Sequence, residues 1–433
     1  KGKKAKEVRE LIVEWLKSEK LLEKEEDIKQ NITVADRSGG VIEPLPKLQW
    51  FVNVNKKFKI EKSRINGINN SDEITLKELM RKVIENKQIT IIPDHFAKTY
   101  FHWIDNLHDW CISRQIWYGH RVPVWYRHRG QSADLTQTNA ETEGAEDIFV
   151  GIEAPDGEGW EQDPDTLDTW FSSGLWTFST LGWPEKTEDL KIYHPTTILE
   201  TGHDILFFWV ARMILMTGYL LGDIPFKTVY LHGLVRDKNG KKMSKSLGNI
   251  IDPLDMIKKY GADAARMSLI IGNTPGTDMN LSEDKIKGYK HFANKIWNAT
   301  RFVLSNTEDV NIEKKPPLSQ RDQEILKELE VMTRDVTTDI ENYRLYLAGE
   351  KLYHYFWKTF ADVIIEESKK RMLSGDAVDA LSCKWTLLKI LSTTTIMLHP
   401  FMPFVTEEVW SMLPHKKDRL LMVEPWPLPP CSS

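Results

Sequence analysis

Cysteine is scarce: the 433 residues hold three, Cys111, Cys383 and Cys431, none close enough to another for a paired knuckle or a redox dithiol. That spacing argues against a disulfide framework and against a structural zinc site of the cysteine type, and a reducing, cytoplasmic setting is expected. An excess of one charge is lacking too. With 63 acidic and 58 basic residues the net charge is −5, so the chain as a whole advertises neither nucleic acid nor an anionic membrane, and any polyanion site has to be a local patch. Long apolar runs are missing but for Ile205 to Gly222, which Asp204 opens and Arg212 interrupts. No second span accompanies it, so a buried helix is expected and no membrane. Signal-peptide and lipidation motifs are absent, although the first residue is Lys1 and not Met, which leaves upstream sequence expected to be missing. There is no internal repeat.

What is present reads as a globular chain. Its 16 tryptophans and 41% hydrophobic content rule out a disordered or low-complexity polymer, and at roughly 150 residues per domain the length suggests about three domains. Val8, Leu11, Ile12, Trp15 and Leu16 recur at helical spacing ahead of an Arg37-Ser38-Gly39-Gly40 turn. The segments Val41 to Pro44 and Gln49 to Val54 look extended, as if returning from an excursion into a main domain. From Tyr100 to Tyr118 an aromatic helical pattern carries Trp103, Leu107, Trp110 and Cys111, and a polar stretch from about 127 to 165 follows as a surface insertion or hairpin. Thr196 to Leu199 reads as a strand, Ile205 to Leu221 as a helix and Lys227 to Gly233 as a second strand. That unit implies a parallel sheet. Asp252-Pro253 predicts a helix start and Gly261 its end. Beyond about Asp284 the spacing is helical throughout, with a cap at Ser319 to Asp322, and a helix bundle is the economical architecture.

The most specific signal is Lys242-Met243-Ser244-Lys245-Ser246, in the loop after the second strand. A fixed pentamer arises by chance in such a chain about once in 10⁴ trials. Lys238, Lys241, Lys242 and Lys245 set four cations within eight residues, and two serines and a following glycine add donors and freedom. That combination suits a triphosphate whose charge moves towards departing pyrophosphate. Gly202 and Asp204 fall where the first strand ends and the helix begins, the place where open parallel sheets bind ligands.

The pentamer resembles the signature loop of the class I aminoacyl-tRNA synthetases. Its flanks, Leu231 to Asp237 and Gly248 to Pro253, are similar to those of the valyl members, as are Trp110 to Gln115 with Trp117 and Gly119-His120-Arg121. Asp168 to Ser173 and Thr201 to Trp209 favour the valyl over the isoleucyl and leucyl relatives. Phe292 to Ala299 and His399 to Phe404 resemble the anticodon-binding helical domain. The resemblance implies an α/β fold, a partial Rossmann-like parallel sheet forming the second half of the catalytic domain, followed by an all-α anticodon-binding bundle. It implies boundaries at 1–54 for the tail of an editing insertion with return strands, 55–284 for the catalytic half, and 285–433 for the bundle. It further implies a two-step reaction in which valine and ATP, with Mg²⁺, give valyl-adenylate and pyrophosphate, and the acyl group then passes to tRNA(Val). Lys242 and Lys245 would act on the phosphates, and Gly202, Asp204, His232, Gly233, Met243, Ser244 and Ser246 would line the ATP site. Trp170, Ile205 and Trp209 would form the apolar walls that valine's two methyls require, the last two standing four apart on one helical face. Arg114, Asn294, Arg301 and Arg344 are candidates for tRNA contact, Arg114 being equally a packed structural corner.

Two departures from the family pattern stand out. Its first nucleotide motif, two histidines three apart, is absent, since none of the 12 histidines has a partner at that spacing. The missing amino-terminal half would carry it, so the chain alone is expected to activate valine poorly. The stretch from Arg127 to Glu161 also lacks the cysteines with which some relatives build a zinc knuckle, and no structural zinc is expected. As is known for this family, an apolar pocket cannot strongly reject threonine, so editing needs a second site, and only the tail of such a domain fits before about Trp50. An isoleucyl enzyme, or a tRNA-binding fragment without catalysis, remains an alternative at this point.

Overall fold

A computed structural model describes residues 5–26, 28–29, 31–35, 38–127, 147–243, 248–414 and 419–427. The chain divides into two compact units, Lys1–Trp50 with Val124–Glu161, and Phe51–Pro123 with Gln162–Ser433. The first holds helix α1 (Ala5–Ser18), whose apolar residues Leu11, Ile12 and Trp15 stand exposed. It also contains a bridge between Val34 and Val41 around a turn in which Gly39 takes a positive φ. Strands Val124–Arg127 and Asp147–Val150 pair antiparallel in the same unit. Arg127 ties that hairpin together, pairing with Asp147 and lying 4.9 Å over the Trp160 ring.

The second unit is built on a parallel sheet of β1 (Thr90–Ile92), β2 (Thr196–Gly202) and β3 (Phe226–His232), in the order β2-β3-β1. The register sets Leu199 beside Val229 and Gly202 beside His232, and Val229 beside Ile91. Helix α2 (Leu76–Glu85) starts on a capping box in which Thr75 and Glu78 exchange hydrogen bonds, satisfying two of the free N–H groups at its start. Helix α3 (His95–Asp105) follows β1, and α4 (Ala211–Leu221) connects β2 to β3. Leu79, Met80, Tyr100, Met213, Ile214, Phe226 and Val229 close a single core between these helices and the sheet. The long apolar run is therefore largely interior: Ala211 to Gly218 are all buried. It is also the one described helical stretch long and apolar enough to cross a membrane.

Two elements differ from the sequence expectation. The aromatic helix stops at Asp105, and Trp110–Cys111 and Ser113–Arg114 are extended. Trp110 pairs with Val52, and Asp109 accepts from Val54 N at 3.1 Å, so strand pairing overrides the apparent helical spacing there. The run from Ile205 is not α-helical at its start either. A 3-10 turn (His203–Ile205) and a π-helical stretch (Leu206–Val210) precede α4. Ile205 thus ends the 3-10 turn and Trp209 lies within the π-helical stretch, so the two do not belong to one α-helix. At the far end Gly222 takes φ +62° and would place a Cβ 1.8 Å from Lys62 O, so only glycine ends α4 in this way.

After β3 come α5 (Pro253–Tyr260), capped by Asp252 at 2.8 Å from Leu254 N, and α6 (Ala262–Ile270). The bundle consists of α7 (Glu283–Asn306), α8 (Gln320–Glu341), α9 (Leu345–His354), a π-helical stretch Tyr355–Ile364, α10 (Ile365–Met372), α11 (Ala377–Leu398) and α12 (Pro403–Met412). Phe292, Phe356, Phe360, Leu388 and Leu391 lie at its centre. Asp263 on α6 accepts from Phe404 N and Val405 N at 3.1 and 2.7 Å, and Arg266 donates to Pro400 O at 2.8 Å, which fastens α6 to the start of α12.

Candidate active site

The C-terminal ends of β2 and β3 lie side by side, with Gly202 and His232 in register. Gly202 is buried, and a Cβ there would fall 2.6 Å from Asp204 Oδ1, so the missing side chain leaves room for that carboxylate over the strand end. Asp204 itself is exposed, and among the described residues it takes no hydrogen bond or ion pair; it does not cap the turn it belongs to. A carboxylate held uncommitted at a strand end is an acceptor for an incoming donor.

Gly233 meets a harder constraint, because a Cβ would lie 1.9 Å from the Thr277 carbonyl oxygen. The 274–278 turn can approach only glycine this closely. His232 is half-exposed: Nδ1 donates to Gly233 O at 2.7 Å, which fixes the proton on that nitrogen, and Nε2 stands 3.4 Å from Glu200 Oε1. Across the gap Asp278 gathers the surroundings of the strand end. It accepts from Leu234 N at 2.7 Å and from His203 Nε2 at 3.1 Å, and it pairs with Arg236. The Leu234 amide and then the His203 and Arg236 donors hold its carboxyl down to about 2. His203 in turn lies against Phe96, ring centroids 5.6 Å apart. Neither Asp278 nor its ring of donors stood out in the sequence, since nothing local links residues more than 40 positions apart.

The lysine loop leaves from the same strand. Its base is locked by Asp237, which is buried and accepts from Asn239 N and Lys241 N at 2.9 Å each. The returning Asn249 side chain donates to the same carboxylate at 2.9 Å and to Lys242 O at 3.2 Å, so both arms of the loop meet at one residue. The Asn249 amide and the loop N–H groups hold Asp237 in its charged form, below the usual carboxylate range. Met243 packs with Ile251, Met256 and Tyr260 around buried Ala264, Leu281 and Ile286, which makes it an anchor of the loop. Lys238, Lys241 and Lys242 are exposed and form no ion pair among the described residues. Ser244, Lys245 and Ser246 lie outside the described residues.

Two of the expected apolar walls, Trp170 and Trp209, lie on segments that touch one another. Trp170 stacks on Phe208 at 5.8 Å, and Trp209 packs on Trp176 at 5.9 Å while its indole N–H donates to Ser173 O at 3.1 Å. Trp170, Ile205 and Trp209 are all partly buried. The turn bearing Trp170 (Thr169–Ser173) is capped by Asp168, which also accepts from Trp110 Nε1 at 3.1 Å and pairs with Arg114 at 3.0 Å. Arg114 Nη1 donates to Cys111 O and Ser113 O. These contacts fit the packed corner of its two alternatives, with the side chain still 39% exposed. Arg344 is likewise engaged, pairing with buried Asp339 at 2.9 Å, whereas Asn294 and Arg301 are exposed, seven residues apart on α7.

Comparison with known proteins decides the family. The family model described as tRNA synthetases class I (I, L, M and V) matches residues 6–282. The chain belongs to the class I tRNA synthetases. A second model of the same enzymes, the anticodon-binding domain of tRNA ligase, matches residues 322–431. The valine--tRNA ligase of Oceanobacillus iheyensis is 42% identical over 426 residues, covering 97% of this chain and 44% of that protein. That of Petrotoga mobilis is 44% identical over 425 residues, again 97% of this chain and 45% of the relative. This synthetase chain therefore spans less than half the length of the curated relatives it matches. Among solved structures, Mycobacterium tuberculosis methionyl-tRNA synthetase bound by methionyl-adenylate aligns with a TM-score of 0.59 at 18% identity, over 77% of this chain and 60% of that one. The ternary complex of Agrobacterium radiobacter K84 LeuRS with tRNA aligns with a TM-score of 0.56 at 18% identity, over 75% and 44%. These likenesses establish the fold: a class I parallel-sheet catalytic region followed by a helical anticodon-binding domain.

Proposed function

We propose that this chain supplies the second half of the nucleotide-binding catalytic fold and the anticodon-binding bundle of a longer enzyme, which activates valine with ATP and transfers it to tRNA(Val). The observation that carries the proposal is the convergence at one sheet end: Gly202 and His232 in register, an uncommitted Asp204, and a lysine-rich loop rooted on the same strand.

In the first step the valine carboxylate attacks the α-phosphate of ATP, written with its magnesium ion as substrate; a carboxyl-phosphate bond forms and pyrophosphate leaves. Negative charge grows on the departing phosphates, and Lys245, with Lys242, is the group we assign to stabilise it. Met243 keeps the loop seated while Ser244 and Ser246 add donors. Asp204 accepts from ribose hydroxyls, Gly202 and Gly233 let backbone approach the nucleotide, and His232 lines its adenine side. Trp170, Ile205 and Trp209 enclose the valine methyls. In the second step a hydroxyl of the tRNA's terminal adenosine attacks the valyl carbonyl and AMP leaves. Exposed Asn294 and Arg301 are assigned to meet RNA, together with Arg344, which pairs with Asp339 through Nη2.

Amino-acid-dependent exchange between ATP and pyrophosphate tests the proposal in the complete polypeptide, with valine the amino acid expected to support it. Binding of tRNA(Val) in a gel shift without any exchange would favour a tRNA-binding protein that has lost catalysis.

A further inference from the structure

Arg212, in the first turn of α4, is buried to 92% and takes no hydrogen bond at Nε or Nη1 among the described residues. A buried guanidinium in that state is costly, so it needs a compensating interaction. It finds one in two rings: its central carbon lies 3.9 Å from the Trp110 ring centroid and 5.3 Å from that of Trp103. Burial lowers the pKa of the guanidinium to about 10, while nearby Asp168 favours its charged form.

Each ring leads to a different wall of the proposed valine site. Trp110 donates to Asp168, whose other oxygen accepts from Trp170 N and so holds the turn carrying Trp170. Trp103 stacks on Phe207 at 5.0 Å and 16°. Phe207 lies in the π-helical stretch that bears Phe208 and Trp209. We infer that Arg212 is a positioning residue for amino-acid specificity, a cationic wedge between Trp103 and Trp110 that sets the turn bearing Trp170 against the stretch bearing Phe208 and Trp209. The inference rests on the assignment of Trp170, Ile205 and Trp209 to the valine site.

The test is ATP–pyrophosphate exchange by the complete polypeptide with Arg212→Met and Arg212→Lys. Valine is compared with α-aminobutyrate, which lacks one methyl group. A methyl contact in an apolar pocket discriminates by roughly 10- to 200-fold. Both variants are expected to narrow that ratio at least about tenfold and to raise the valine KM by a similar factor, with the ATP KM within about twofold. Lysine keeps the charge but has no planar face to lie between the rings, so it narrows the ratio too, and its preserved charge and length guard against simple misfolding. A folded variant that discriminates as the parent does overturns the inference, as does an equal rise in both KM values. A parent that shows no preference for valine overturns instead the assignment of the pocket, which is read before any variant is made.

Discussion

At the scale of single residues, Lys245 is proposed to meet the reaction's charge and Asp204 to bind the sugar. Lys245→Ala is expected to slow adenylate formation about 10²-fold while the valine KM changes little, because the charge it meets builds up only on the way to the transition state. Rapid-quench measurement of adenylate formation checks this, and an unchanged rate with a raised valine KM would reject the role. Asp278 gives a prediction in pH. Its folded value of about 2 lies below the ordinary 3.8. Its contribution to stability is therefore present above about pH 4 and lost as the pH falls towards 2. Asp278→Asn should flatten the acid limb of a melting-temperature profile over that interval; an unaltered limb would show that the carboxylate does not stabilise the strand end. The lysine loop was legible in the sequence because its chemistry is contiguous. The roles of Asp278 and Arg212 were not, because each acts through partners distant in sequence, and a lone Asp or Arg carries no local pattern.

At the scale of elements, helix starts were legible and helix interiors less so. Asp252 and Ser319 both cap as their side chains allow, since a cap is a local hydrogen bond between near neighbours. The aromatic stretch after Tyr100 misled because its ring spacing fits a helix, while long-range pairing of Trp110 with Val52 decides the backbone. The π-helical stretches at Leu206 and Tyr355 left no mark in apolar spacing. In the bundle, Arg371 joins three elements: it bonds Asp322 and Ser319 at the start of α8 and Asp379 in α11. Asp322 is 1% exposed; burial alone would raise its pKa, but Arg371, Ser382 and Ser319 hold it lowered. Asp322→Ala leaves the Arg371 charge short of its buried partner, and a loss of about 3–5 kcal/mol in denaturant unfolding of the bundle is expected. A loss below about 1 kcal/mol would mean that Asp379 alone suffices.

At the scale of the whole molecule, the parallel sheet is open. Strand β2 pairs with β3 on one side, and among the described residues no strand lies on the other. An uncovered edge seven residues long is a place where further strands add. With a chain that spans 44% of a relative's length, we expect the remainder of the catalytic fold to pair there and to bring the histidine motif with it. The chain alone should therefore show little valine-dependent exchange, and co-expression with the amino-terminal part of the same enzyme should restore it. The measurement that bears most directly on the account is exchange by the complete polypeptide across a panel of amino acids. Valine should support it, with isoleucine, leucine and methionine far behind. Preference for any of those three, or no exchange with any amino acid, would contradict the proposal.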